Sequence, residues 1–145
     1  MPELFSNTDD GRILTANVVG FSNARDADTG ATVATGEAAS NNFTAVNKFS
    51  SRGGGSQFRI ERSFMYFDTS GITGTVTSAN FEIVGSSGDD GSVIAVKSNA
   101  FGGDGGTALA AEDFDAMPGW TDGASAEGNV TKYSSPFEST SASGS

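Results

Sequence analysis

The sequence predicts an all-β domain, an antiparallel β-sandwich or jelly roll with one short helix, and three observations carry that expectation. The composition suits strands and turns: the 145 residues include 20 Gly, 20 Ser, 14 Thr, 11 Phe and nine Val, against three Leu. Several short segments alternate apolar and polar side chains with the period of two that a half-buried strand requires. Clusters of Gly, Asp and Ser separate these segments at the intervals of a sheet connected by tight turns. Length fits a single domain.

One property pulls the other way. Leu, Ile, Val and Phe make up 28 of 145 residues and the formal charge is −10, a balance near that of disordered chains. The phenylalanines offset it, because each buries far more apolar area than a valine and several fall in neighbouring strand segments.

Taken in order, residues 1–10 read as an N-terminal arm, with Leu4 and Phe5 as its apolar side chains. Residues 12–21 form the first strand, with Ile13, Thr15, Asn17, Val19 and Phe21 on one face. Residues 22–42 are a small, polar excursion with room for one short strand, and 43–49 form an edge strand. The Gly53-Gly54-Gly55-Ser56 turn feeds the strongest element, residues 57–67. There Phe58, Ile60, Arg62, Phe64 and Tyr66 share one face and Arg59, Glu61, Ser63, Met65 and Phe67 the other. Its second half is apolar on both faces, as in the central strand of a sandwich.

Asp68-Thr69-Ser70-Gly71 then turns, with Asp68 placed to accept backbone N–H groups. In residues 75–84 the alternation predicts a strand with Thr77, Ala79, Phe81 and Ile83 facing the core. Asp90-Gly91 marks a hairpin, and 92–98 returns as a short strand. The helix is predicted over residues 107–117, capped by Thr107, turning Leu109, Phe114 and Met117 inward and stopped by Pro118-Gly119. Residues 130–133 supply a last strand. The domain therefore spans 11–133, and the Ser-rich stretch 134–145 reads as a flexible or truncated tail.

Residue chemistry removes whole classes of function. With no Cys and no His there is no disulfide, thiol nucleophile, common zinc site or imidazole base. Eight basic residues lie scattered among 18 acidic ones, which disfavours nucleic acid and anionic membranes as partners. No apolar run is long enough to span a bilayer, and the first ten residues lack the pattern of a signal peptide.

The remaining motifs are weak. Asp26, Asp28 and Glu37 match positions 1, 3 and 12 of an EF-hand loop, but Ala31 stands where that loop needs Gly. Gly102 to Gly106 resembles half a calcium-binding β-roll repeat, which works only in stacks. Asp113 and Asp115 are two apart on the predicted helix and diverge, so they read as a solvated face rather than a catalytic pair. Neither Gly-x-Ser-x-Gly nor Ser-x-x-Lys occurs, so no serine nucleophile is indicated. Asn42-Phe43-Thr44 and Asn129-Val130-Thr131 are glycosylation sequons only for a chain secreted by a eukaryote. Trp120 is read as a core side chain packed beside Tyr133, with sugar stacking as the alternative. No enzyme, cofactor or metal is expected.

Residues 62–72, Arg-Ser-Phe-Met-Tyr-Phe-Asp-Thr-Ser-Gly-Ile, followed by Val76-Thr77-Ser78-Ala79-Asn80-Phe81, resemble the DNRLRE-type β-sandwich, which is related to carbohydrate-binding modules. Phe21-Ser22-Asn23-Ala24-Arg25-Asp26-Ala27 is similar to the opening of such domains, and Ala111-Glu112-Asp113-Phe114 with Gly119-Trp120 also fits. The likeness covers roughly residues 11–133, with one specific segment. Acidic sequences of this kind, rich in Gly, Ser and Asn, are frequent among structural proteins of tailed, notably marine, phages.

The resemblance implies a non-enzymatic virion structural protein, a capsid decoration, knob or appendage module assembled in the host cytoplasm. Its partner would be a major capsid or appendage protein, docked through Leu4 and Phe5 or an edge strand, with self-association as a further mode. The alternatives are an extracellular carbohydrate-binding module, contacting glycan through Trp120, Tyr66, Asp89 and Asp90, and a subunit of a surface filament.

Overall fold

The computed structural model describes residues 3–6, 9–36, 45–50, 53, 55–81, 92–123, 128–135 and 137–138. The protein is all-β: strands β1 (Gly11–Leu14), β2 (Val18–Val19), β3 (Thr32–Thr35), β4 (Ala45–Ser50) and β5 (Ser56–Phe64) form one antiparallel sheet. Strands β6 (Ser92–Val93) and β7 (Phe137–Glu138) form a second pairing. Among the described residues, a single turn of helix, α1 (Phe21–Arg25), and two 3-10 turns, Phe101–Gly103 and Ala111–Asp115, accompany the strands.

The strongest predicted strand is the centre of the sheet. β5 pairs along its length with β4 on one side and with β1 and β2 in succession on the other; β3 lies outside β1. Ile13 stands opposite Arg62, so these two share a face with Ile60 and Phe64. That face carries the core. Ile13, Ile60 and Phe64 pack against Ala24 of α1 and against Ala100, Phe101, Leu109 and Phe114. Ile13 and Phe114 are completely buried. The cover on the sheet is thus built from α1 and the 3-10 segments.

Several expectations are corrected. The first predicted strand is two strands, because the register slips between them: Leu14 faces Glu61, but Val18 faces Phe58. Three residues on one strand oppose two on the other, a β-bulge. The bulge ends the predicted alternation after Thr15. Ile13 and Thr15 are buried, whereas Asn17, Val19 and Phe21 are exposed. Phe21 instead opens α1, inside a stretch read as strand and loop.

The helix over 107–117 is absent. Ala110 is extended (φ −124°, ψ 164°), and only Ala111–Asp115 coil, as a 3-10 turn. Leu109 and Phe114, five apart, are both buried in this form, which a regular helix would not align on one face. Thr107 does not cap the turn; its backbone N–H donates to the Phe101 carbonyl. Asp113 caps it instead, Oδ2 accepting from the Ala110 N–H at 3.0 Å and the Phe101 N–H at 3.5 Å.

Residues 75–81 are exposed and form no strand, contrary to the expected core strand. The small side chains of Thr77 and Ala79 bury too little area to hold a sheet position, and Phe81 remains 47% exposed while meeting Phe67 edge-on. Ile83 lies outside the described residues. Residues 95–97 and 131–133 do align: Lys97 N–H donates to the Thr131 carbonyl, and Tyr133 N–H to the Ala95 carbonyl, around a bridge from Val96 to Lys132. Phe137–Glu138, within the expected tail, extend this edge by pairing with Ser92–Val93.

Candidate functional site

Two charged groups sit on opposite faces of β5. On the core face, Arg62 is a lone cation in the apolar row of Phe58, Ile60 and Phe64, and its side chain is 14% exposed. Its Nη1 donates to the Phe114 carbonyl at 2.6 Å and its Nη2 to the Arg25 carbonyl at 2.8 Å. The guanidinium stacks 4.1 Å from the Phe114 ring centroid and 4.9 Å from that of Trp120. Asp115 supplies the countercharge at 3.6 Å. Planar and forked, an arginine can meet two carbonyls and two rings at once where a lysine could not. It ties β5, α1, the second 3-10 turn and the Trp120 loop together.

Burial pushes the Arg62 guanidinium down to about 10, against the pull of Asp115, Asp26 and Asp122. Burial likewise raises the Asp115 carboxyl above the usual aspartate value, partly opposed by Arg62 and reinforced by Asp122 and Asp28. Hydrogen bonds from Arg25 hold Asp26 below its usual value, and the Gly123 N–H adds to that effect. Asp26 takes Arg25 in a fork at 2.6 and 2.7 Å and accepts the Gly123 N–H at 3.1 Å, across 97 positions of sequence. Around this group, Asp115 Oδ1 and Trp120 Nε1 are buried without a hydrogen bond.

On the other face Glu61 is fully buried between two arginines, with Arg12 at 2.9 Å and Arg59 at 3.0 Å, and Asn47 donates to it at 3.2 Å. A buried carboxylate with three donors has its hydrogen-bonding capacity met within the fold. Arg59 also lies 5.5 Å from the Phe49 ring centroid.

The sequence-predicted site residues are dispersed. Leu4 and Phe5 are 39% and 80% exposed, ahead of β1. Trp120 is half-buried beneath Arg62, whereas Tyr133, its expected neighbour, is 69% exposed. Tyr66 is half-buried, its ring 6.4 Å from that of Phe101, with the Gly105 backbone laid on it so closely that a Cβ there would collide. Gly105 also has φ +81°, so this contact needs glycine twice over. Asp89 and Asp90 lie outside the described residues. Among the EF-hand positions, Asp26 spends its oxygens on Arg25 and Gly123, and Glu37 lies outside the described residues. Among the described residues no three acidic side chains are grouped to hold a metal ion, and no helix is long and apolar enough to cross a membrane.

Sequence reasoning passed over Arg62 and Glu61, although both carried a signal. Each is a charge at the middle of the most strongly alternating strand, a position that demands a partner if the strand is central. Comparison with family models, with curated proteins and with solved structures finds no match for this chain.

Proposed function

We propose that the chain is a non-enzymatic structural module of a tailed-phage virion that docks on a capsid or appendage protein. The observation that carries this reading is the arm before β1, which presents Leu4 and Phe5 to solvent at 39% and 80% exposure. An isolated aromatic held that far out buries substantial area when a partner surface closes over it. The charged groups support the same reading. Arg62, Glu61 and Asp26 have their hydrogen-bonding capacity directed to carbonyls, arginines and a backbone N–H, which joins segments and offers no reacting group. The likeness to the DNRLRE-type β-sandwich, and the acidic, Gly- and Ser-rich composition, supply the virion setting. The β6–β7 pairing would belong to the second sheet of such a sandwich.

Mass spectrometry of density-banded particles from the source culture tests the proposal. The expected result is the chain at a copy number commensurate with a capsid or appendage protein, lost from particles when Leu4 and Phe5 are both replaced by Asp. Recovery of the chain only from the particle-free fraction would overturn it.

A further inference from the structure

Residues 120–123 lie against Arg62 without belonging to the core. The Trp120 ring is 4.9 Å from the Arg62 guanidinium, yet Trp120 is neither in the buried cluster nor among the side chains packed against it. Arg62 is held independently of this segment, by the carbonyls of Phe114 at 2.6 Å and Arg25 at 2.8 Å and by the Phe114 ring at 4.1 Å. The segment starts from a fixed pivot. The Trp120 N–H donates to the Met117 carbonyl and the Asn129 N–H to the Gly119 carbonyl, both at 3.0 Å, with Gly119 at φ +89°. Beyond Trp120, Thr121, Asp122 and Gly123 are exposed. Among the described residues, what ties this exposed end to the domain is the Gly123 N–H, accepted by Asp26 Oδ2 at 3.1 Å.

Closure of this segment over Arg62 also carries a cost. Trp120 Nε1 is a donor and Asp115 Oδ1 an acceptor, and both are buried without a hydrogen bond. Both groups sit against the same guanidinium, Asp115 Oδ1 at 3.6 Å from Nη1, an ion pair too long for a hydrogen bond. A buried polar atom without a partner has given up its bonds to water and received nothing in return. Swinging Trp120 outward gives its Nε1–H back to water. The movement gives up one cation–π contact and one hydrogen bond, that of Gly123, while every ladder bond of the sheet stays in place. Such a segment opens at far lower cost than the domain unfolds.

We propose that residues 120–123 are a strap that opens and closes over Arg62 within the folded domain, pivoting at Gly119 and latched by Gly123 on Asp26. In the open form Trp120 reaches solvent while β5 keeps its neighbours. The inference goes beyond the virion reading and does not depend on it, because it is measured on the purified chain.

Trp120 is the only tryptophan, so a single indole reports on the strap. Hydrogen exchange of its Nε1–H in the full chain, followed by NMR beside the Ile60 amide at the centre of the sheet, tests the proposal. Measured against the rate of each group in an unstructured peptide, the indole should be protected at least about 100-fold less than the Ile60 amide. Asp26→Ala removes the acceptor of the Gly123 N–H. It should lower the indole protection at least about threefold further relative to Ile60 and make Trp120 fluorescence more open to quenching by acrylamide. Indole protection equal to that of Ile60 would mean that Trp120 moves only when the domain unfolds, and would overturn the proposal. So would an indole indifferent to Asp26→Ala, or one whose protection falls only in step with Ile60. The wild-type comparison decides by itself if Asp26→Ala does not fold.

Discussion

Arg62 shows how one side chain converts a sheet into a packed domain. Two carbonyls from distant segments, Phe114 and Arg25, accept from it, and it lies over the rings of Phe114 and Trp120. Arg62→Lys keeps the charge but can satisfy only one of those carbonyls, so urea unfolding should show a loss of about 2 kcal/mol. A loss below about 0.5 kcal/mol would mean the fork is not structural. The neighbouring carboxylates predict opposite pH behaviour. Asp26 is held below its usual value, so its stabilisation is present at neutral pH and fades as pH falls through that lowered value. Asp26→Asn should therefore be less stable than wild type at pH 7, the gap closing in acid. Asp115 is raised, so the folded chain takes up its proton at higher pH than the unfolded chain, and stability declines as pH rises through the range just above the usual aspartate value. Asp115→Asn should flatten that decline; melting curves of the two variants from pH 3 to pH 7 distinguish the signs. Alternation in the sequence put Arg62 in the core row, yet its burial could not be read there, because Phe114, Trp120 and Arg25 reach it from other segments.

At the scale of elements, the break between β1 and β2 carries the clearest consequence. Between Arg12 and Phe21 apolar side chains fall on both faces of the predicted strand, so the sequence does not mark where the pairing slips. Its cause lies across the sheet, where the pairing of Val18 with Phe58 and Leu14 with Glu61 leaves one residue too many. Thr15 closes the gap: its backbone N–H donates to the Ile60 carbonyl at 2.9 Å, and its hydroxyl oxygen accepts the Ile60 N–H at 3.0 Å. The hydroxyl thus replaces the missing ladder acceptor. Thr15→Val has nearly the same shape and would leave the Ile60 N–H buried and unpaired, costing about 1–3 kcal/mol. Faster hydrogen exchange at the Ile60 amide, ahead of global unfolding, is the expected sign; an unchanged rate would show another acceptor. The misplaced helix has a similar origin. Residues 107–117 have adequate local propensity, but burial of Leu109 and Phe114 together, and the Asp113 cap on Ala110, favour an extended entry and one 3-10 turn. Propensity is a weak force beside two buried side chains.

Over the whole molecule the dominant long-range term is the net charge of −10. Self-repulsion opposes the compact state and is screened by salt, whereas the buried Arg12–Glu61–Arg59 group is screened little. Raising sodium chloride from about 0.02 M to about 0.5 M shortens the screening length several-fold and should raise the melting temperature. A fall would mean that the ion pairs outweigh the repulsion.

Composition and alternation were enough to determine the all-β class, the place of β5 as the strongest strand, and the exclusion of thiol and imidazole chemistry. These depend on residue type and on a period of two, both of which are local. Only the tertiary structure decided that the core lies on one face of the sheet, that the first strand breaks at Thr15, and that Arg62 and Glu61 are buried on opposite faces of one strand. Each of those follows from partners tens of residues away, since hydrogen-bond register and burial are properties of pairs of segments and not of either segment alone.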